Sequence, residues 1–173
     1  MAAPSPLPPV TVEEAVPADF VRIGALTAGV YRDEDLASEH YLPALADVAG
    51  RAGRSTLLVA RDGAALVGAV ALVLDGDFGE VTESDDEAAF RMLVVDPAAR
   101  GRGIGELLVQ ECLDRARAAG KRRVVLSTDP RMAAAHRLYR RLGFTRLPAR
   151  DWSPVPGVDL MVYALDLRPR PAG

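Results

Sequence analysis

Residues 100–105, Arg100-Gly101-Arg102-Gly103-Ile104-Gly105, and residues 135–144, Ala-His-Arg-Leu-Tyr-Arg-Arg-Leu-Gly-Phe, decide how the rest of this 173-residue chain is read. Ahead of the first stretch, Ala88 to Val95 (AAFRMLVV) reads as a largely buried strand that Asp96-Pro97 ends. Behind it, Ile104, Leu107, Leu108, Cys112, Ala116 and Ala119 recur at steps of three and four, which predicts a helix stopped by Gly120. A glycine-rich turn between strand and helix leaves amide N–H groups uncovered at the positive end of the helix dipole. That is a place for an anion such as a pyrophosphate, and Arg100 and Arg102 add charge to it. Alone, such a turn is as often purely structural. It lacks the Lys-Ser/Thr ending of a nucleoside-triphosphate loop, and Ser127 stands where a ribose-binding acid would follow.

Working outward, Arg123 to Ser127 (RVVLS) is a short strand, and Arg131 to Leu142 a second helix, stopped by Gly143. Upstream, Thr56 to Arg61, Asp62-Gly63 and Ala64 to Leu74 read as a β-hairpin, because Asp-Gly between two apolar runs favours a tight turn. Val10 to Glu14 suits a first strand, Pro17 to Tyr31 a helix, and Glu34 to Arg51 a second helical stretch interrupted by Pro43. Asp75 to Glu87 is an acidic loop. Phe144 to Arg150 and Val158 to Leu167 are closing strands joined by the loop Asp151 to Gly157. The order of elements predicts an α/β (α+β) sandwich. Residues 1–9 read as a flexible lead-in, 10–168 as one domain and 169–173 as a tail.

Composition narrows the function. Apolar residues make up 49% and charged residues 26%, so most of the chain is expected to fold. Lys plus Arg (21) against Asp plus Glu (24) leaves a net charge of −3, which offers no general attraction to nucleic acid or anionic membrane. Cys112 is the only cysteine, so no internal disulfide forms. The Pro-rich start has neither a basic region nor a long apolar run, which predicts no secretory signal and a cytoplasmic protein. His40 and His136 lack partners at ligand spacing, and no metal site is expected.

Together, RxxGxG at Arg100 to Gly105 and AxxLYxxLGF at Ala135 to Phe144 closely resemble the GNAT superfamily of acyl-CoA-dependent N-acyltransferases. The resemblance runs from about Thr56 to Phe144. It implies a mixed, mostly antiparallel sheet of six to seven strands with a splayed central pair and helices on both faces. It further implies acetyl-CoA as co-substrate, its pyrophosphate on Arg100, Gly101, Arg102, Gly103, Ile104 and Gly105. Leu93, Val94 and Val95 would align pantetheine and thioester. Direct attack by an amine needs no acyl-enzyme, and Cys112 has the spacing of a core residue. Tyr139 matches the family's general acid: a phenol of pKa near 10 can protonate a thiolate of pKa near 8.5 while itself un-ionised at neutral pH. The amine partner is a small molecule or a peptide, and homodimers occur in such folds.

Two positions depart from the family pattern. Met132 stands where an asparagine often contacts the CoA arm, and Ala89 where some members carry a carboxylate base. An alkylammonium is only about 0.04% neutral at pH 7, so its proton has to go somewhere. Glu87, two residues earlier on the same strand face, is the candidate base; a solvated charge is the alternative. The acids of Asp75 to Glu87 suit either the steering of a cationic amine or plain solvation. By the same resemblance Trp152 and Tyr31 would wall the acceptor pocket. Met132 and Ala89 also fit a non-catalytic acyl-CoA-binding domain, and the glycines alone fit a nucleotide-binding module.

Overall fold

The computed structural model describes residues 9–76 and 81–167. The Asp62-Gly63 turn forms as the sequence predicts, with Gly63 at φ +60°, and joins β2 (Thr56–Asp62) to β3 (Ala65–Val73). β1 (Thr11–Glu14) pairs with β2, and β4 (Glu87–Val95) with β3, all antiparallel. β5 (Arg123–Thr128) lies parallel to β4, and β8 (Val158–Asp166) closes the sheet against β5. The short β6 (Thr145–Arg146) pairs with β8 on its far side, giving the order β1-β2-β3-β4-β5-β8-β6, and β7 (Trp152–Val155) also pairs with β8.

Helices cover both faces. α1 (Phe20–Asp33) and α3 (Val48–Ala52) pack with Leu57, Val59, Ala69 and Ala71 on one side. α4 (Ile104–Ala118) and α5 (Ala133–Arg141) pack with Leu58, Ala60, Val70 and Leu72 on the other. The alternation of these strand residues between two buried clusters is the period-2 pattern of a strand buried on both faces.

Several boundaries differ from the sequence reading. The helical stretch at 34–51 is two short helices, α2 (Leu42–Ala46) and α3, because Pro43 fits only a first turn. The closing region holds three strands instead of two, so the sheet has eight strands where six to seven were expected. Pro148 turns the chain into a 3-10 segment (Pro148–Arg150) that cuts β6 short, and residues 152–155, read as loop, fold back on β8. Residues 1–8 and 168–173, with Asp77 and Glu80 of the acidic run, lie outside the described residues.

Candidate active site

The gap at the centre of the sheet begins with a bulge. Three residues of β3, Ala69 to Ala71, face four of β4, Arg91 to Val94, so β4 carries one extra residue. Met92 absorbs it at φ +55°, a conformation uncommon for a side chain of this kind and frequent at functional sites. The face each residue presents shifts accordingly. Ala88 and Phe90 pack towards α4, but beyond Met92 it is Leu93 and Val95 that do so, while Val94 joins the α1 cluster. On the other edge, the parallel pairing with β5 covers only Glu87–Arg123, Ala88–Val124 and Ala89–Val125. From Phe90 onward β4 and β5 have no paired register, which leaves the residue 93–95 edge open to a ligand's amides and carbonyls.

β4 leads into the glycine turn. Asp96 Oδ1 accepts from the Ala98 N–H (3.0 Å) and Pro97 opens a 3-10 turn, which delivers Arg100 extended and Gly103 as the N-cap of α4. Gly101 and Gly103 take φ +82° and +75°, and a Cβ on either would meet nothing within 4 Å. Glycine is used there for backbone direction alone. Gly68 does the opposite: a Cβ would lie 3.0 Å from Leu108 Cδ1 and 3.1 Å from Ile104 Cγ2, so its absence seats α4 against the sheet. The turn therefore presents backbone N–H groups, free of side chains, at the dipole-positive end of a 15-residue helix. Arg100 pairs with Glu34 (2.6 Å) and Arg102 with Asp62 (2.6 Å) at partly exposed sites, contacts that a phosphate could replace.

The second motif is a helix stop that fixes Tyr139. Gly143 (φ +96°) follows the C-cap Leu142; its N–H donates to the Arg140 carbonyl (3.0 Å), and the Phe144 N–H to that of Tyr139 (2.9 Å). This is a Schellman motif, and its customary apolar contact is the Phe144 ring on the Tyr139 ring, centroids 5.8 Å apart. Phe90 (5.9 Å) and Tyr163 (6.0 Å) complete the cage. Among the described residues the Tyr139 hydroxyl takes part in no hydrogen bond. Burial pushes its pKa well above the ordinary phenol value, with smaller contributions from Tyr31 and Cys112, so it is held as neutral O–H.

Other residues cluster beside it. His136, buried on α5 one turn before Tyr139, donates Nε2–H to the Asp129 carbonyl (3.1 Å) and lies 3.3 Å from Thr128 Oγ1. Its ring contacts Tyr163 at 5.6 Å, and burial lowers its pKa, favouring the neutral ring. The histidine that sequence reasoning set aside thus ties the end of β5 to α5; its i, i+3 spacing from Tyr139 was the available signal. Met132 Sδ takes the Thr128 hydroxyl at 3.8 Å. On the α1 side, Tyr31 is half-buried and its pKa is pushed up to about 12, first by burial and then by Tyr41, against the pull of Arg91 and Arg51. Cys112 is buried in the α4 core with its thiol pushed up, as suits packing and not nucleophilic attack.

Glu87 sits elsewhere. It lies at the paired end of β4, where Arg150 grips both oxygens (2.8 and 3.0 Å) and the Glu83 N–H donates at 2.8 Å. Burial would raise its pKa, but Arg150 and that N–H outweigh it and hold the carboxyl below its usual range. A carboxylate held this way has lowered basicity, and its contacts are those of a part-buried ion pair with Arg150. Trp152 is half-buried and packs against the cluster formed by Val73, Val81, Ala89, Val125, Val162 and Ala164. No group of three or more His, Cys, Asp and Glu among the described residues could hold a metal, and no helix there is long and apolar enough to cross a membrane.

Fold and motifs meet in the comparisons. Residues 23–144 match the model of the acetyltransferase (GNAT) family, and the chain belongs to that family. It is 37% identical over 102 residues to an IAA acetyltransferase of Azospirillum brasilense, a match covering 57% of this chain and 61% of that relative. Among solved structures, a GNAT-family acetyltransferase from Staphylococcus aureus Mu50 superposes with a TM-score of 0.73 at 16% identity, covering 92% of this chain and all of that one. The yncA acetyltransferase structure from Salmonella typhimurium, solved with its cofactor acetyl-CoA, gives 0.64 at 23% identity over 96% and 98%. At these identities the structures establish the shared fold.

Proposed function

We propose that the chain transfers acetyl from acetyl-CoA to the amine of a small molecule or peptide. The observation that carries this reading is the convergence, at one gap in the sheet, of the glycine turn, the open edge of β4 and the caged Tyr139. The donor seen with the Salmonella relative suits these groups. Backbone N–H groups from Gly101 to Gly105 take the pyrophosphate, with Arg100 and Arg102 turning to it from Glu34 and Asp62. The residue 93–95 edge of β4 aligns the pantetheine amide and the thioester carbonyl. The co-substrate supplies an activated acyl group; the chain supplies alignment and proton handling.

Tyr139 donates to the sulfur as it leaves. Its raised pKa decides how: full transfer would leave a phenolate among Phe90, Phe144 and Tyr163, so hydrogen-bond donation, with the proton replaced as fast as it moves, costs less. Overall the amine loses one proton and the thiolate gains one. With Ala89 unable to accept it and Glu87 bound by Arg150, the amine enters already neutral, between walls that include Tyr31 and Trp152.

This sets a pH profile. The kcat/KM for thiol release is expected to rise about tenfold per pH unit up to the acceptor's own pKa, and acceptors of lower pKa should plateau earlier. A plateau at one fixed pH for every acceptor would instead reveal a base on the enzyme.

A further inference from the structure

β4 and β5 run parallel, so both of their C-terminal ends lie at the mouth of the gap. The chain that leaves β4 carries Arg100, and the chain that leaves β5 carries Asp129 and Arg131. One short segment holds both rims. Glu34, the C-cap of α1, pairs with Arg100 at 2.6 Å. The next residue, Asp35, accepts at its backbone carbonyl from Arg131 Nη1 (2.7 Å), and Arg131 donates in turn to both oxygens of Asp129 (2.9 Å each). Residues 34–35 thus strap the β4 rim to the β5 rim. Their turn is a Schellman end: the Asp35 N–H donates to the Arg32 carbonyl (3.1 Å) and the Leu36 N–H to that of Tyr31 (2.8 Å). Asp35 takes the left-handed position, φ +54°, where glycine is usual and a side chain is less favoured. Tyr31, in the same turn, packs on the cluster that contains Val94 of the open edge.

We propose that Glu34 is a positioning residue that occupies Arg100 in the free protein and yields it to the pyrophosphate of acetyl-CoA. A diphosphate offers more charge than one carboxylate to the same guanidinium, and it also takes the N–H groups of the glycine turn, so it wins the exchange. The strap then keeps its hold on the β5 rim and loses the one on the β4 rim. Residues 34–41 loosen, and with them the turn that carries Tyr31, so the acceptor side of the gap opens when the donor is seated. The other displaced pair has no such reach: Asp62 ends β2 and stays in register with Ala65. The assignment rests on the acetyltransferase reading, since the donor is what releases the strap.

Hydrogen exchange followed by mass spectrometry reads this without turnover, on wild-type protein with and without saturating acetyl-CoA. Residues 100–105 are expected to exchange more slowly with the donor bound. Peptides covering 34–41 are expected to exchange faster, about two- to fivefold, the scale of one exposed ion pair. Ligands ordinarily slow exchange, so acceleration is a result that plain packing of the donor does not produce. In Glu34→Gln the segment should exchange at the fast rate with or without acetyl-CoA, and acetyl-CoA should bind up to about fivefold tighter. Asp62→Asn removes the same charge from the other arginine of the turn and is the control: it should tighten binding and leave the acceleration at 34–41 in place. Unchanged or slower exchange of 34–41 in wild type, while 100–105 becomes protected, would overturn the proposal. So would acceleration that survives Glu34→Gln or disappears in Asp62→Asn. No protection of 100–105, with no acetyl-CoA bound, would overturn the acetyltransferase reading instead.

Discussion

Tyr139→Phe is expected to slow thiol release by about 10²-fold or more while leaving acetyl-CoA affinity unchanged. The substitution deletes one oxygen and keeps the ring. The contacts of that ring with Phe90, Phe144 and Tyr163 survive, and no hydrogen bond among the described residues is lost. A structural role for the hydroxyl therefore predicts almost no change, and a donor role predicts a loss of about 2.7 kcal/mol of transition-state stabilisation for each 10²-fold. The effect should fall on kcat and grow with the basicity of the leaving thiolate. Measured with wild-type and variant proteins of matched melting temperature, an unchanged kcat would remove Tyr139 from the chemistry.

The second large effect concerns stability. Arg150→Ala is expected to cost about 3–5 kcal/mol, because it leaves the buried Glu87 carboxylate with the Glu83 N–H and with Arg123, 3.9 Å away, as its only cation. In a chain of this length that lowers the melting temperature by roughly 10 °C. The pair also sets an acid limit. The folded pKa of Glu87 is depressed, so its contribution is present above the unfolded value, about 4.3, and is lost as pH falls through the lower folded value. Thermal melts from pH 6 to pH 3 should therefore show wild type and Arg150→Ala converging below pH 4. A constant difference across that range would mean that Arg150 acts through packing. Neither outcome bears on catalysis, which is the use of the test: a stable, active Glu87→Gln/Arg150→Met protein would confirm that Glu87 is dispensable as a base.

What was legible in the chain was local. Asp62-Gly63 dictates its turn, and the glycines at 101 and 103 mark a backbone no other residue adopts readily. Leu142-Gly143-Phe144 encodes the helix stop that places Tyr139, so the motif is a geometric device as well as a signature. What was not legible depends on distant partners. The bulge at Met92 carries no glycine to announce it; it follows from the register against β3, and it decides that Leu93 turns to the α4 cluster and Val94 to the α1 cluster. Arg150 reaches Glu87 across 63 residues, and nothing near either one in sequence suggests the other. Periodicity placed Glu87 on a plausible face of β4, but only the position of the gap, three residue pairs further along, shows that it stands at the closed end. Trp152 falls in Asp151 to Gly157, which reads as a loop, yet pairing with β8 makes it part of a strand.

Isothermal titration of the purified protein with acetyl-CoA, beside ATP and NAD, tests the central claim most directly. Saturable micromolar binding selective for acetyl-CoA is expected, weakened at least tenfold by Gly103→Val, which forces a β-branched residue into the left-handed N-cap of α4. Well-folded protein that takes up no acetyl-CoA, or binds ATP or NAD in preference, would contradict the account.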